Sequence, residues 1–185
     1  MIELSIVIPM HSEEAALPAL FARLMPCIEQ VTNNYEIICV DDGSRDNTYA
    51  MLLEYHRNDP RIKVVHLARN FGKEAALTAG IDYAAGRAVI PIDADLQDPP
   101  ELIPALVEQW KRGYKVVLAT RKSRPGDSWL KRYSAEWFYK AMNYLSTVKL
   151  PPNTGDFRLM DRMVVDAVKQ LPERTRFMKS TRSNK

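Results

Sequence analysis

The stretch Val89-Ile90-Pro91-Ile92-Asp93-Ala94-Asp95-Leu96-Gln97-Asp98-Pro99-Pro100 constrains the fold more than any other part of the chain. Its apolar run leaves too little room for a helix before the acids, so it reads as a buried strand, and the Pro-Pro pair reads as the start of the following helix. Asp93 and Asp95 then project from the carboxyl end of that strand, the edge at which open α/β sheets bind ligands. Two hard oxygen donors at alternate positions suit Mg2+ or Mn2+, with waters and a substrate diphosphate completing the shell. Helix capping by the same acids is the plainer alternative, because Asp is favoured near helix N-termini.

The chain on either side alternates between strand-like and helical periods. Leu4 to Pro9 reads as a strand, and Glu13 to about Val31 carries helical spacing through Leu17, Leu20, Leu24 and Ile28. Tyr35 to Val40 is a second strand, followed by Asp41-Asp42-Gly43-Ser44, with Asp46 or Ser44 placed to cap a helix containing Met51 and Leu52. Ile62 to Leu67 is a third strand. Glu74 to Ala85 is predicted helical, with Gly86 ending it. Leu102, Leu106 and Trp110 share a helical face, and Gly113 closes that helix before a strand at Lys115 to Ala119. The alternation predicts an α/β fold with a mostly parallel central sheet and helices on both faces.

Length and composition agree with one soluble domain. A chain of 185 residues, 46% hydrophobic and 26% charged, has the size and balance to bury a substantial core. No apolar stretch reaches the length needed to span a bilayer, and Glu3 in the first strand argues against a secretory signal. The expected location is therefore cytoplasmic. Cys27 and Cys39 lack metal-like spacing and are expected to be reduced and buried. Residues 1–60 hold 3 Lys or Arg against 10 Asp or Glu, and the remainder 23 against 13, so the net +3 divides into −7 and +10. The basic part suits phosphates or an anionic membrane surface.

Four polar clusters fall at strand ends: Pro9 to Glu13, Asp41-Asp42, Asn70 to Lys73, and Asp93 to Gln97. No Gly-x-Gly-x-x-Gly turn follows the first strand and no Walker loop occurs, which disfavours a nicotinamide-binding or P-loop protein.

The chain resembles the family 2 glycosyltransferases of the GT-A fold, and especially the polyprenyl-phosphate glycosyltransferases such as dolichyl-phosphate mannosyltransferase and bactoprenol glucosyltransferase. The resemblance rests on Val7-Ile8-Pro9 with Glu13-Glu14, Val40 to Ser44, Arg69 to Glu74, Asp93 to Pro99, Ala135 to Lys140, and Gly155 to Met160. It implies a GT-A catalytic domain over residues 1–179. It further implies that Pro9, His11, Glu13, Val40 and Asp42 line the nucleotide pocket, where a carboxylate can accept from a base N–H or ribose hydroxyl. Asp93, Ala94, Asp95 and Gln97 would meet the nucleotide-sugar donor, with Asp93, Asp95 and Gln97 around Mg2+ or Mn2+. Catalytic roles fall to Asp95, Arg121 and Asp156, the last matching the family's proposed base, with acceptor positioning an equal alternative. Arg121, Lys131, Arg132 and Arg158 would contact the acceptor or the diphosphate, and Lys179 is a further candidate. A surface turn after Gly155 is the plainer reading of Asp156, and solvated surface charge that of Lys131, Arg158 and Lys179.

The implied reaction is metal-dependent and inverting, moving a sugar, glucose from UDP-glucose by the later motifs, to a polyprenyl phosphate such as undecaprenyl phosphate. No nucleic acid is implied. Trp129 to Leu145 presents Leu130, Tyr133, Trp137, Ala141 and Leu145 on one helical face with Lys131, Arg132 and Lys140 flanking it, which fits either an interfacial helix at the cytoplasmic membrane surface or packing on the sheet. Two departures stand out. His11-Ser12 replaces an aromatic-Asn pair, and after Phe177-Met178-Lys179 the chain ends in Ser180 to Lys185, where family members continue; the expectation is a truncated domain with a disordered tail at 180–185. A nucleotide-sugar-binding module without turnover, and a phosphatase with Asp93 as nucleophile and Asp95 as acid, are the competing readings.

Overall fold

The computed structural model describes residues 2–120 and 154–170. The interfacial-helix reading of 129–145, the roles of Arg121, Lys131, Arg132 and Lys179, and the tail at 180–185 lie outside them. The described elements are β1 (Leu4–Met10), α1 (Leu17–Glu29), β2 (Tyr35–Asp41), α2 (Thr48–Asn58), β3 (Ile62–His66), α3 (Lys73–Tyr83), β4 (Ala88–Pro91), a short 3-10 turn (Pro100–Leu102), α4 (Ile103–Lys111), β5 (Val116–Thr120), β6 (Thr154–Asp161) and α5 (Arg162–Lys169).

The strands form a six-stranded sheet in the order β3-β2-β1-β4-β6-β5. β1 runs parallel to β2 and β4, and β2 to β3, whereas β6 is antiparallel to both β4 and β5. Strand alternation divides the apolar residues between two layers. Ile6, Ile8, Ile37, Cys39, Ile90, Phe157 and Leu159 pack with α1, Leu52 of α2, and α4 on one face. Val7, Ile38, Val40, Val89 and Met160 meet Ala76 and Ile81 of α3 and Val165 of α5 on the other. Each fully buried Leu or Ile contributes about 1.5–3 kcal/mol relative to exposure, so the doubly covered central strands dominate the core.

Close packing explains two glycines. A Cβ at Gly80 would lie 2.4 Å from Val7 Cγ1, so α3 settles against β1 and β2 only without a side chain there. Gly86, expected to end α3, does not do so: the helix ends at Tyr83, with Ala84 extended. A Cβ at Gly86 would instead stand 2.6 Å from Ser5 Oγ, in the turn that delivers the chain to β4.

Three further expectations change. Residues Thr154–Asp161 form a strand, so position 156 lies in β6 and not in a surface turn. Leu102 is exposed, and the buried face of α4 is Ile103, Leu106, Val107 and Trp110. Cys39 is buried as expected, with burial pushing its thiol pKa up, but Cys27 is partly exposed and its thiol donates to the Arg23 carbonyl.

Candidate active site

Strand order reverses at β1. The chain moves outward through β2 and β3, then returns to place β4 on the other side of β1. The carboxyl ends of β1 and β4 therefore flank the switch point, where α/β sheets open a crevice.

Loops from β1 and β2 close one side of this crevice by interlocking. The backbone N–H groups of Ser12, Glu13 and Glu14 donate to Ser44 Oγ, Thr48 Oγ1 and Asp46 Oδ2 at 2.9, 2.8 and 3.3 Å. The Glu14 carboxylate accepts in return from Asn47 N–H at 2.8 Å. Ser12 takes a left-handed φ of 58° to make the turn. Asp46 Oδ1 also accepts from Thr48 N–H, but Asn47, and not the expected Asp46 or Ser44, occupies the N-cap position of α2.

The two aspartates at the end of β2, Asp41 within it and Asp42 just after, are buried and partnered. Asp41 accepts from His66 Nδ1 at 2.6 Å, and His66 in turn packs against Tyr49 with ring centroids 4.2 Å apart. Asp42 accepts from the N–H groups of Phe71 and Gly72 at 2.7 and 2.8 Å, and its carbonyl accepts from His11 Nδ1 at 2.8 Å. The arrangement needs Gly43: its φ is +63°, and a Cβ there would stand 2.5 Å from the Arg69 carbonyl carbon. Asp42 thus holds the loop carrying exposed Phe71 against the crevice, while His11 is fixed as a proton donor to the backbone. His56, by contrast, binds the Ile62 carbonyl away from these loops.

Beyond β4, Ile92 N–H donates to the Val7 carbonyl, extending the β1 pairing to the edge of the site. Ala94 is buried, and its neighbours Asp93 and Asp95 face outward to different degrees, Asp93 half-buried and Asp95 exposed. Leu96 turns through a left-handed φ of 58°, and Asp95 Oδ1 accepts from the N–H of exposed Gln97 at 3.0 Å. Lys73, the first residue of α3, reaches Asp93 Oδ2 at 2.5 Å. Across the crevice, partial burial raises the Glu13 pKa, and the charges of Asp95, Asp46 and Asp93 raise it further. Pro9 is half-buried and Val40 fully buried at the floor. The carboxylates of Asp46, Asp93 and Asp95 thus all lie near enough for their charges to act on Glu13.

Among the described residues, no three His, Cys, Asp or Glu side chains are close enough to hold a metal alone. Two carboxylates with solvent access are nevertheless a suitable donor set for Mg2+ or Mn2+, which keep several waters and share phosphate oxygens. β6 lines the far side. Ala88 stands opposite Asp161 and Val89 opposite Met160 in the antiparallel pairing of β4 with β6. Arg158 lies within β6, with its guanidinium Nε buried and without a hydrogen-bond partner.

The model for glycosyl transferase family 2 matches residues 5–169. The chain belongs to glycosyl transferase family 2. It is 61% identical over 178 residues to an uncharacterized glycosyltransferase of Synechocystis sp., covering 96% of this chain and 56% of the relative. It is 48% identical over 177 residues to the bactoprenol glucosyl transferase of Shigella phage SfV, covering 96% and 58%. The chain thus spans a little over half the length of the curated relatives it matches. The fold is that of the GT-A glycosyltransferases, as in the mannosyltransferase PcManGT from Pyrobaculum calidifontis, solved with GDP-Man and Mn2+: TM-score 0.60 at 18% identity, covering 90% of this chain and 46% of that one. No helix among the described residues is long and apolar enough to cross a membrane.

The residue that sequence reasoning missed is Lys73. It stood inside the Arg69 to Glu74 motif without a role. A cation at the first position of a helix, where the dipole favours anions, is the signal that marks it.

Proposed function

We propose that this chain is the nucleotide-sugar-binding and catalytic part of a transferase that moves glucose from UDP-glucose to a polyprenyl phosphate at the cytoplasmic membrane surface. The observation that carries the reading is the placement of solvent-accessible Asp93 and Asp95 just beyond β4 at the switch point, where Asp41 and Asp42 are buried. The name of the phage relative supports the glucosyl donor and the polyprenol acceptor.

In this reading Asp93 and Asp95, with Gln97 adjacent, would hold Mg2+ or Mn2+, which when bound would supply positive charge to offset that of the nucleoside diphosphate. Pro9, His11, Val40 and the loop tied down by Asp42 shape the base and ribose side. Glu13 accepts from a donor hydroxyl or base N–H. An acceptor phosphate oxygen attacks the anomeric carbon as the bond to the diphosphate breaks, and the bonding pair leaves with UDP. Inversion follows from that single displacement. The phosphate is already largely anionic near neutral pH, so the step requires little proton removal. Asp156 then positions the acceptor, and the unpaired Nε of Arg158 offers a donor to its phosphate. Arg121, Lys131 and Arg132 are assigned the remaining phosphate charge.

Calorimetric titration with UDP-glucose and GDP-mannose, each with Mn2+ or with chelator, tests the donor half. Mn2+-dependent binding of UDP-glucose that disappears in an Asp93→Ala/Asp95→Ala double variant is expected. Preference for GDP-mannose would overturn the donor assignment, and metal-independent binding would overturn the role of the two aspartates. Transfer of glucose to undecaprenyl phosphate in vesicles tests the acceptor half. Phosphate release from sugar-free phosphoesters would favour the phosphatase reading instead.

A further inference from the structure

Lys73 is an unusual residue to find where it is. As the first residue of α3 it places an ammonium at the positive end of the helix dipole, an unfavourable position for a cation. The side chain is 55% exposed and free to extend into water, yet it turns to Asp93 at 2.5 Å. Asp93 stands two residues from Asp95 just beyond β4, and its carboxylate is partly open to solvent where Asp95 is exposed. Lys73 supplies positive charge directly against Asp93 in this acidic region.

We propose that Lys73 is the resident counter-cation of the donor site, competing with the divalent metal for Asp93 and yielding it when a nucleotide diphosphate arrives. This rests on the assignment of Asp93 and Asp95 as metal ligands. The carboxylate oxygen held by Lys73 is one that a metal would use, so metal binding without nucleotide must break the ion pair and bring a divalent charge near the displaced ammonium. When the diphosphate binds with the metal, its oxygens give the ammonium a new anionic partner, and the penalty falls. Metal and nucleotide binding are thereby coupled, and the coupling is reciprocal. An empty site resists stray divalent ions, and a loaded one retains them.

The test is a titration of the whole chain with Mn2+ alone, reading free Mn2+ by its electron paramagnetic resonance signal, and then again with UDP present. Four proteins are compared: wild type, Lys73→Met, Lys73→Arg and the Asp93→Ala/Asp95→Ala double variant. Lys73→Met should bind Mn2+ about three- to tenfold more tightly than wild type, the size expected for losing a partly screened competing charge. Lys73→Arg, which keeps the charge, should stay near wild type. UDP should increase Mn2+ affinity by a larger factor in wild type than in Lys73→Met. Equal or weaker Mn2+ binding by Lys73→Met, or an equal gain from UDP in both, overturns the proposal. If that happens while the double variant has lost Mn2+, the metal assignment stands and the Lys73 inference alone falls. If the double variant binds Mn2+ like wild type, both fall. Lys73 is exposed, and circular dichroism melting of each variant checks that the fold is retained.

Discussion

A single acid and a cluster of acids sit at opposite ends of the parallel strands, and their surroundings differ sharply. At the amino end, Glu36 of β2 is 1% exposed and saturated. It accepts from Ser5 Oγ at 2.6 Å, Lys63 Nζ at 2.6 Å and the Ala85 N–H at 2.7 Å, while Gly86 N–H donates to Ser5 Oγ at 2.8 Å. This knot joins β1, β2, β3 and the turn into β4. At the carboxyl end, partial burial first and then the charges of Asp95, Asp46 and Asp93 raise the Glu13 pKa, with Lys73 in contact with Asp93. Burial alone raises the Glu36 pKa, but hydrogen bonds from Lys63, Ser5 and Ala85 outweigh it and hold the group below its usual value. Glu13 moves the opposite way. An acid whose valences are filled by its own protein serves the fold, whereas one left in a field of like charge is available to a ligand.

The largest effect expected from breaking this contrast is at Glu36. Glu36→Ala should cost about 3–5 kcal/mol by leaving Lys63, Ser5 and the turn amide without their partner, as read by urea unfolding. Donor binding per folded molecule should be unchanged. Because its native pKa is depressed, the stability Glu36 provides is present above its unfolded value of about 4.5 and is lost as pH falls through the lower native value. The converse is the Asp93→Ala/Asp95→Ala variant. Metal-dependent donor binding should fall at least about 100-fold, equivalent to about 2.7 kcal/mol, while unfolding stability shifts by no more than about 0.5 kcal/mol.

Gly80→Ala should cost about 1–3 kcal/mol, because the new methyl enters the space of Val7 and Val40. The smallest effect is at Glu13. Its raised pKa means the ionised form is tolerated at a cost near neutral pH, so Glu13→Gln should raise the melting temperature slightly at pH 7. The difference should vanish as pH drops below about 4.5, where the wild-type group is protonated in both states. A constant difference across pH would show that Glu13 does not feel the acidic group.

The first five strands were legible because each is a short apolar run punctuated by Pro, Gly or acids, and their bounds came within a residue or two. β6 was not. In Thr154–Asp161 the residues alternate between the two layers, Phe157 and Leu159 to one and Met160 to the other, and its antiparallel sense depends on partners found only in three dimensions. The four acidic and polar clusters at the strand ends were visible as motifs. Which acids were already satisfied was not, because Asp42 is closed by amides 29 and 30 residues away. Lys73 and Asp93 are 20 residues apart in sequence and meet because α3 and β4 both return to β1. Glu36 passed unnoticed inside the apolar run Tyr35 to Val40, where an acid has no local signature of the knot it ties.

The interlocked loops at residues 12–14 and 44–48 carry a consequence for divergence within the family. Each backbone amide of the first loop is held by a side chain of the second, so neither can be remodelled without displacing the other. A lineage remodelling this side of the crevice would have to pass through paired replacements, and single substitutions in either loop should be epistatic. This rim of the crevice would then inherit its changes in couples, slowly, while solitary positions around it drift.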